Sequence, residues 1–383
     1  MNEVPDVREH QIFRRWVRRI LDDRVRPYLD AWEAKGGLPY AELFPDLGGH
    51  GLLGLGRSPE HGGLGLDHRY VTIWAEELGR LPSGALPMAL SVQTEIAMPL
   101  LEAAGECARR TFLPDAIAGR AVLAFAVTER AGGSDLGNIA TTATARGDDL
   151  VLRGEKSWIT NGSVADVLLI ACRTGDIDSL ADLSVVAVPA ATPGVHQQPI
   201  SGKVGNWACD HGIITLADVV VPRSHLIGRP GDGYALMSET FLRERRFLAV
   251  VAAAQARRIL KETIVWAREH RVLGAALVDQ QHVRFELAQL LADLDLIEAY
   301  LAQQAPAAVA GKLTLRSATM IKLRATELAR RCADLALQLR GARAYLSEQG
   351  PARDVRDLRA GALAGGSDEA LLHLLGGLLD TEA

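Results

Sequence analysis

The sequence predicts a mostly α-helical chain with a small antiparallel β domain in its middle, and three observations predict it. Hydrophobic residues make up 48% of the 383 residues while aromatics are only 5%, so Ala and Leu, good helix formers, carry most of the apolar content. Apolar stripes at helical spacing occupy both ends of the chain. Between Val122 and Pro222 the pattern changes to short β-rich runs separated by Gly, Asp and Pro. A chain this long divides into two or three domains. The composition shifts place a helical domain at 1–120, a β domain at 121–228 and a second helical domain at 229–383.

Charge and cysteine usage remove several function classes. A formal charge of −5 with both signs mixed throughout leaves no nucleic-acid footprint and no basic membrane patch. No stretch approaches the roughly 18 apolar residues of a spanning helix. The opening MNEVPDVREH lacks an apolar leader core, so the expectation is a soluble, cytoplasmic protein. Cys107, Cys172, Cys209 and Cys332 are scattered without metal-ligand spacing and read as reduced structural thiols. No metal site is expected.

Taken in order, residues 7–34 read as one amphipathic helix with Ile12, Phe13, Trp16, Val17, Ile20 and Leu21 on a single face. A short helix over 40–47 ends at Gly48-Gly49. Residues 49–54 match GxGxxG, but a helix stop rather than a strand precedes them, so no dinucleotide fold is assigned. His61, between glycines, reads as a loop residue. Helices follow over 68–78, with Gly79 as the stop, and over 86–104. Strand-like runs occupy 150–152, 167–172, 183–188 and 213–221. Long helices are expected over 242–271, 281–302 and 313–339, with a last one over 368–379.

Two stretches carry more than packing. Leu123–Val127 is a short apolar run that opens at once into Thr128-Glu129 and then Gly132-Gly133-Ser134, bringing backbone N–H groups and hydroxyls toward something polar. Past a Gly147-Asp148-Asp149 turn suited to a hairpin, a second strand ends in Lys156-Ser157-Trp158-Ile159-Thr160-Asn161. An aromatic plate beside a hydroxyl donor suits a flat heteroaromatic ring with hydrogen-bonding edges. Each piece alone also reads as an ordinary turn and a core tryptophan.

Together the two stretches resemble the flavin-binding signatures of the acyl-CoA dehydrogenase family. The family pattern Thr-Glu-Pro-x-Ala-Gly-Ser-Asp corresponds to Thr128–Asp135, with Arg130 and Gly132 departing, and Lys-x-Trp-Ile-Thr-Asn is matched without change by residues 156–161. The resemblance implies an N-terminal helical domain, a middle β-barrel-like domain and a C-terminal four-helix bundle. It implies FAD, held non-covalently. Phe125, Val127, Thr128, Gly133 and Ser134 would line the isoalloxazine and ribityl side, Trp158 and Ile159 would cover the ring, and Thr160 would bond near N5. Gln281, Gln338 and Gly341 match positions that reach the adenosine half across a dimer interface. Departures gather there: Arg-x-x-Phe-Gly becomes His270-Arg271-Val272-Leu273-Gly274, and Gln-x-x-Gly-Gly becomes Gln338-Leu339-Arg340-Gly341-Ala342. Arg271 offers a replacement positive charge for the pyrophosphate, and weak FAD retention is an open outcome.

In the family a carboxylate takes the proton α to a thioester carbonyl while the β-hydrogen leaves as hydride to flavin N5. Many members place that Glu before Gly-Thr near the C-terminus. Here the segment is Gly365-Gly366-Ser367, so the usual base position is a glycine, and Ser367 replaces Thr as an expected FAD contact. Asp368 and Glu369 read as first-turn residues that suit the helix dipole. Isovaleryl and long-chain members carry the base earlier, in a motif resembling Leu-Asp-x-Glu-Arg. Phe241-Leu242-Arg243-Glu244-Arg245 puts Glu244 on that carboxylate. Alone, this charge run reads as a solvated helix face; the missing carboxylate at Gly365 reverses the reading. Ser134, Arg245, Gly365 and Gly366 are then the expected substrate contacts. CoA-binding members often carry an acid where Leu242 stands, which hints at a carrier protein instead of CoA. Arg356-Asp357-Leu358-Arg359 resembles the family's Arg-Asp-x-Arg, for which an internal ion-pair role is expected. The resulting expectation is an α,β-dehydrogenase of an acyl thioester on CoA or carrier protein. Its external electron acceptor is expected to be of electron-transfer-flavoprotein type, and the assembly a homodimer or homotetramer. Alternatives are a flavin oxidase or monooxygenase on the same fold, and a non-catalytic relative with a binding role.

Overall fold

The structure, a computed structural model, describes residues 7–175, 179–348 and 350–379. Residues 1–6, on which part of the expectation of no leader rests, lie outside them. The N-terminal part is built from α1 (Val7–Arg24), α2 (Leu29–Lys35), α3 (Tyr40–Gly49), α4 (His68–Gly79), α5 (Ala85–Ser91), α6 (Met98–Glu102) and α7 (Glu106–Ile117). The single helix expected over 7–34 is broken by a 3-10 turn at Arg26–Tyr28. Pro27 has no N–H to give and its ring crowds the preceding turn, which ends an α-helix. The helix expected over 86–104 is interrupted in another way: Val92–Ala97 between α5 and α6 is a π-helical turn. Helix α7 escaped the sequence reading, because Arg109-Arg110-Thr111 and Pro114 obscure its periodicity.

The middle part contains β1 (Leu123–Ala126), β2 (Thr142–Arg146), β3 (Asp149–Thr160), β4 (Val167–Arg173), β5 (Leu183–Pro189), β6 (Val195–Pro199), β7 (His211–Pro222) and β8 (Leu226–Ile227). They form an eight-stranded sheet in the order β6-β7-β3-β2-β4-β5-β8, with β1 beside β4. The expectation of an antiparallel domain is corrected in one place: β1 and the start of β2 both pair with β4 in parallel. The chain leaves β1 and returns through the whole β2–β3 hairpin, and only such a long connection permits parallel neighbours.

A hairpin of β9 (Arg271–Val272) and β10 (Ala275–Ala276) separates α8 (Gly233–Glu269) from α9 (Gln281–Val309); α10 (Leu315–Arg340), α11 (Gly350–Leu358) and α12 (Asp368–Gly376) complete the chain. Helices α8, α9 and α10 pack on one another, and the short α11 and α12 cover α10 as the fourth side of the bundle. Gly79 does not stop α4 by its conformation. It lets α4 lie directly on α8, since a Cβ there would stand 2.5 Å from the carbonyl oxygen of Val251.

Alternation in the central strands ties the three parts together. Leu123, Phe125 and Val127, with Val167, Leu169 and Ala171, face one core shared with the N-terminal helices and the bundle. Ala124, Ala126, Leu168 and Ile170 face a second core inside the sheet. Strands buried on both faces read as continuous apolar runs, which is why β1, β4 and β5 were visible in the sequence. Among the described residues no helix is long and apolar enough to cross a membrane.

Candidate active site

The first cluster lies where β1 and β3 end. Glu129 is buried, and its carboxylate accepts from Lys156 Nζ at 2.7 Å, Thr141 Oγ1 at 2.6 Å, and the N–H groups of Thr141 and Ala140 at 3.0 and 2.8 Å. Burial works to raise its pKa, and the bonds from Lys156, Thr141 and Ala140 outweigh burial and hold it below the ordinary range. Lys156, fully buried, also donates to the carbonyl of Val127 at 3.0 Å. Asn161 donates to the carbonyls of Ala89 and Leu123 and accepts from the Tyr40 hydroxyl at 3.1 Å. Glu129, Lys156 and Asn161 therefore clamp the strand ends; they do not face a ligand.

What the clamp presents is different in kind. Trp158 is 62% exposed, which overturns the core-tryptophan alternative. The β3–β7 register slips between Lys156 and Ile159, and Trp158 sits at φ +61°. A left-handed tryptophan is costly, of the order of 1 kcal/mol or more, and the bulge swings its indole out of the pleat. Ile159 stays in the core, so the expected ring cover is Trp158 alone on the exposed side. Thr160 is half-buried beside it, while Gly133 and Ser134 are exposed on the loop after β1. Gly133 is where that loop folds onto Thr128: an added Cβ would meet the Thr128 side chain at 3.0 Å. Phe125 and Val127 are buried beneath, and the Phe125 ring lies 6.2 Å from that of Phe241 on α8.

Phe241 leads to the second cluster. The Arg245 guanidinium lies 6.0 Å from the Phe241 ring, donates to the Gly365 carbonyl at 3.1 Å and to Thr319 Oγ1 at 3.2 Å. Lys322 Nζ donates to the Gly366 carbonyl at 2.8 Å. Glu244 is buried, and among the described residues no hydrogen-bond donor reaches its carboxylate. Burial pushes its pKa up to about 7, against the opposing pull of Arg245 and Lys322. Burial likewise lowers Lys322, to about 8. Gly365 and Gly366 sit at φ +67° and +97°, and a Cβ on Gly365 would lie 3.9 Å from the Glu244 carboxyl carbon and 2.9 Å from Leu248 Cδ1. The glycine that replaces the usual base thus faces the candidate base directly. The N–H groups of Gly365 and Gly366 are uncommitted among the described residues. Leu248, which meets Gly365, also lines a cavity of about 60 Å³ together with Met88, Val251, Ala329 and Ala364, and with Gln255, Asn206 and Asp357; Glu244 and Gly365 themselves do not line it.

Ser367 has a simpler place: its Oγ accepts from the Ala370 N–H as the cap of α12. Asp368 pairs with Arg330 at 2.7 Å, and Glu369 is exposed in the first turn. His270, Arg271, Gln281, Gln338 and Gly341 gather at the opposite end of the bundle, where α8 and α10 finish and α9 begins. At 1.5 Å per residue this end lies roughly 38 Å along α8 from Glu244. His270 stacks on Trp266, and Arg271 is exposed and donates to the Gly274 carbonyl of its own hairpin. The ion-pair role expected for Arg356–Arg359 is corrected. The Asp357 carboxylate accepts from the N–H groups of Asn206 and Gly84 at 2.6 and 3.0 Å, and Arg356 lies over Trp207 at 4.1 Å. Adjacent helical residues point about 100° apart and do not pair; Arg353–Asp30 and Arg258–Asp354 carry the ion pairs of this region. Of the thiols read as structural, Cys107 is exposed and the other three are buried.

Sequence reasoning missed Lys322, Thr319 and His211. Lys322 and Thr319 had a signal, since both fall on the apolar stripe of α10 with Ala318, Ile321 and Ala325. His211 had none, because its neighbour Thr160 is set by strand pairing.

Comparison with known proteins identifies the three-part architecture. Models of the acyl-CoA dehydrogenase N-terminal, middle and C-terminal domains match residues 7–120, 124–219 and 231–377. The mitochondrial long-chain specific acyl-CoA dehydrogenase of Rattus norvegicus is 30% identical over 370 residues, 96% of this chain and 85% of that protein. Acyl-[acyl-carrier-protein] dehydrogenase MbtN of a Mycobacterium species is 30% identical over 365 residues, 93% of this chain and 90% of that one. The crystal structure of an acyl-CoA dehydrogenase from Geobacillus kaustophilus superposes with a TM-score of 0.92 at 30% identity, covering 97% of this chain and 98% of that one. Fold and matches together define an oxidoreductase that acts on a CH–CH bond. The chain belongs to the acyl-CoA dehydrogenase family.

Proposed function

We propose that the chain dehydrogenates an acyl thioester between Cα and Cβ, with Glu244 as the base that takes the α-proton. Bound FAD supplies the acceptor for the β-hydride, a step no side chain of this site can perform. The residues at the end of β3 fit such a group: an exposed indole, a hydroxyl next to it and a glycine-bearing loop whose Thr128 and Ser134 carry further hydroxyls. The observation that carries the reading is the Glu244–Gly365 juxtaposition. A desolvated carboxylate with a pKa near 7 is a far stronger base than one in water, and it stands against the peptide that would otherwise bear the base.

Carbonyl activation falls to backbone. The uncommitted N–H groups of Gly365 and Gly366 can bond the thioester oxygen as negative charge builds there. Arg245 and Lys322 hold that segment by the carbonyls of Gly365 and Gly366 and leave its N–H groups without a partner among the described residues. The acyl chain would extend past Leu248 toward the mostly apolar cavity which that side chain lines, away from water. The residues at the far bundle end support an oligomer: His270, Arg271, Gln281, Gln338 and Gly341 are too distant to serve the ring beside Glu244, and would hold the adenosine half of FAD on a second copy. Leu273, 95% exposed at the tip of their hairpin, suits such a contact.

Reconstitution with FAD followed by anaerobic addition of acyl thioesters tests the reading. Bleaching of the flavin with α-proton exchange is expected in the parent, and neither in Glu244→Gln with FAD and thioester still bound. Exchange at the parent rate in that variant places the base elsewhere. Peroxide formed stoichiometrically under air would identify an oxidase instead. Leu242 favours a carrier-protein thioester, which the same bleaching assay decides: equal or better use of the CoA thioester defeats that choice.

A further inference from the structure

Residue 160 of β3 pairs with residue 211 of β7, and Thr160 Oγ1 lies 3.4 Å from His211 Nε2. On the other side of the ring, His211 Nδ1 lies 3.3 Å from Lys203 Nζ. An ammonium has three N–H donors and no lone pair. Those of Lys203 meet three acceptors: the carbonyl of Asn206 at 3.0 Å, the carbonyl of Cys209, and His211 Nδ1. The Cys209 carbonyl, which already accepts from Lys203, also lies 3.4 Å from Nδ1. A ring nitrogen facing an ammonium must offer its lone pair, so Nδ1 carries no proton. Burial and Lys203 keep the imidazole neutral, with its pKa lowered to about 4 against the pull of the Cys209 carbonyl and of Asp210. The single ring proton is therefore on Nε2.

That assignment fixes the direction of the next bond. An Nε2–H aimed at Thr160 Oγ1 makes the hydroxyl an acceptor on its inner side, and the hydroxyl proton is left to point elsewhere. No other acceptor for it exists among the described residues. We infer that His211 is a positioning residue: by donating to Thr160, it turns the Thr160 hydroxyl proton outward to an acceptor nitrogen on the ring of a bound heteroaromatic cofactor beside Trp158. Lys203 acts one bond further back, by fixing the tautomer. The inference rests on the proposed seat of FAD and adds to it the chain Lys203–His211–Thr160.

The tautomer is read directly by long-range ¹H–¹⁵N correlation of the ring nitrogens in the full-length protein, with and without FAD. The expected pattern is a protonated Nε2 and an unprotonated Nδ1; a protonated Nδ1 overturns the inference without any substitution. FAD titrations give the second readout. His211→Leu should weaken oxidised FAD about threefold to tenfold, the effect of one hydrogen bond, and His211→Gln, whose amide can donate at the same point, should restore it. In a Thr160→Ala background His211→Leu should weaken binding no further. Additive weakening there shows that His211 does not act through Thr160. If Thr160→Ala itself leaves FAD affinity and spectrum unchanged, the proposed seat fails; if it weakens binding while the coupling to His211 is absent, only the positioning role fails.

Discussion

Two buried glutamates of this protein have opposite surroundings. Glu129, at the end of β1, accepts four hydrogen bonds, one from the ammonium of Lys156, and stays ionised below the usual carboxylate range. Glu244, on α8, receives none among the described residues and is pushed up to about 7. Burial alone does not mark a working carboxylate. A carboxylate held by four donors has little left to give a substrate, and serves as a joint between strand ends. One left unsatisfied is thermodynamically uncomfortable and keeps its affinity for a proton.

The sharpest way to break this contrast is to remove each charge without changing shape. Glu244→Gln should lower turnover by about 10²–10⁴-fold, the range for losing a general base, with the melting temperature held or raised, since an unsatisfied charge has been removed. Glu129→Gln should do the reverse. It leaves Lys156 buried without its counter-ion, a loss of about 3 kcal/mol in denaturant unfolding, while the chemistry per folded molecule persists. If Glu129→Gln silences a fully folded enzyme, the division between joint and base is wrong.

The pH dependences should also run in opposite directions. Between the ordinary carboxylate range and about pH 7 folded Glu244 binds more protons than it does unfolded, so its contribution to stability falls as pH rises through that window. Folded Glu129 binds fewer, so its contribution is present above the ordinary range and is lost as pH falls through its lowered pKa. Unfolding curves across pH should lose the neutral limb in Glu244→Gln and the acid limb in Glu129→Gln. Activity in the parent should rise with pH through an apparent pKa near 7 as Glu244 ionises. Lys322→Met should move that limb to higher pH, because the positive charge that favours ionised Glu244 is gone; an unmoved limb would detach Lys322 from the base. The smallest expected effect belongs to Trp158. Because Trp158 is exposed and left-handed, Trp158→Gly should leave the stability of the cofactor-free chain unchanged or raise it by up to about 1 kcal/mol as the backbone strain is relieved, while FAD retention drops. A large loss of stability would make Trp158 a packing residue.

Much of this protein was legible in the chain. Continuous apolar runs gave β1, β4 and β5, whose two faces are both buried, and the 3.6 period gave α4, α8, α9 and α10, because burial of one repeated helix face leaves its period in the sequence. Helix α7 and the break at Pro27 were less visible, the first for lack of a clean face and the second because an amphipathic stripe can continue across a break in the backbone. Within Lys156–Asn161 the residue types drew attention to the stretch but did not reveal which side chains turn in and which turn out. Only the slip of the β3–β7 register at Trp158 turns the indole out while Lys156 and Asn161 turn in.

The candidate base shows the same boundary. The sequence by itself supplied a carboxylate at 244, glycines at 365 and 366 and the resemblance that relates them. It could not place these residues against each other, since 121 positions separate Glu244 from Gly365 and nothing local constrains a contact so distant. The packing of α10 and the turn before α12 against α8 decided that the glycine's bare backbone meets the glutamate and that, among the described residues, no donor reaches it. The same holds for Lys322 and His211, whose roles arise from neighbours supplied by other elements. Periodicity and composition are local and survive in the sequence. Desolvation and hydrogen-bond satisfaction depend on everything packed around a group, and they exist only once the chain is folded.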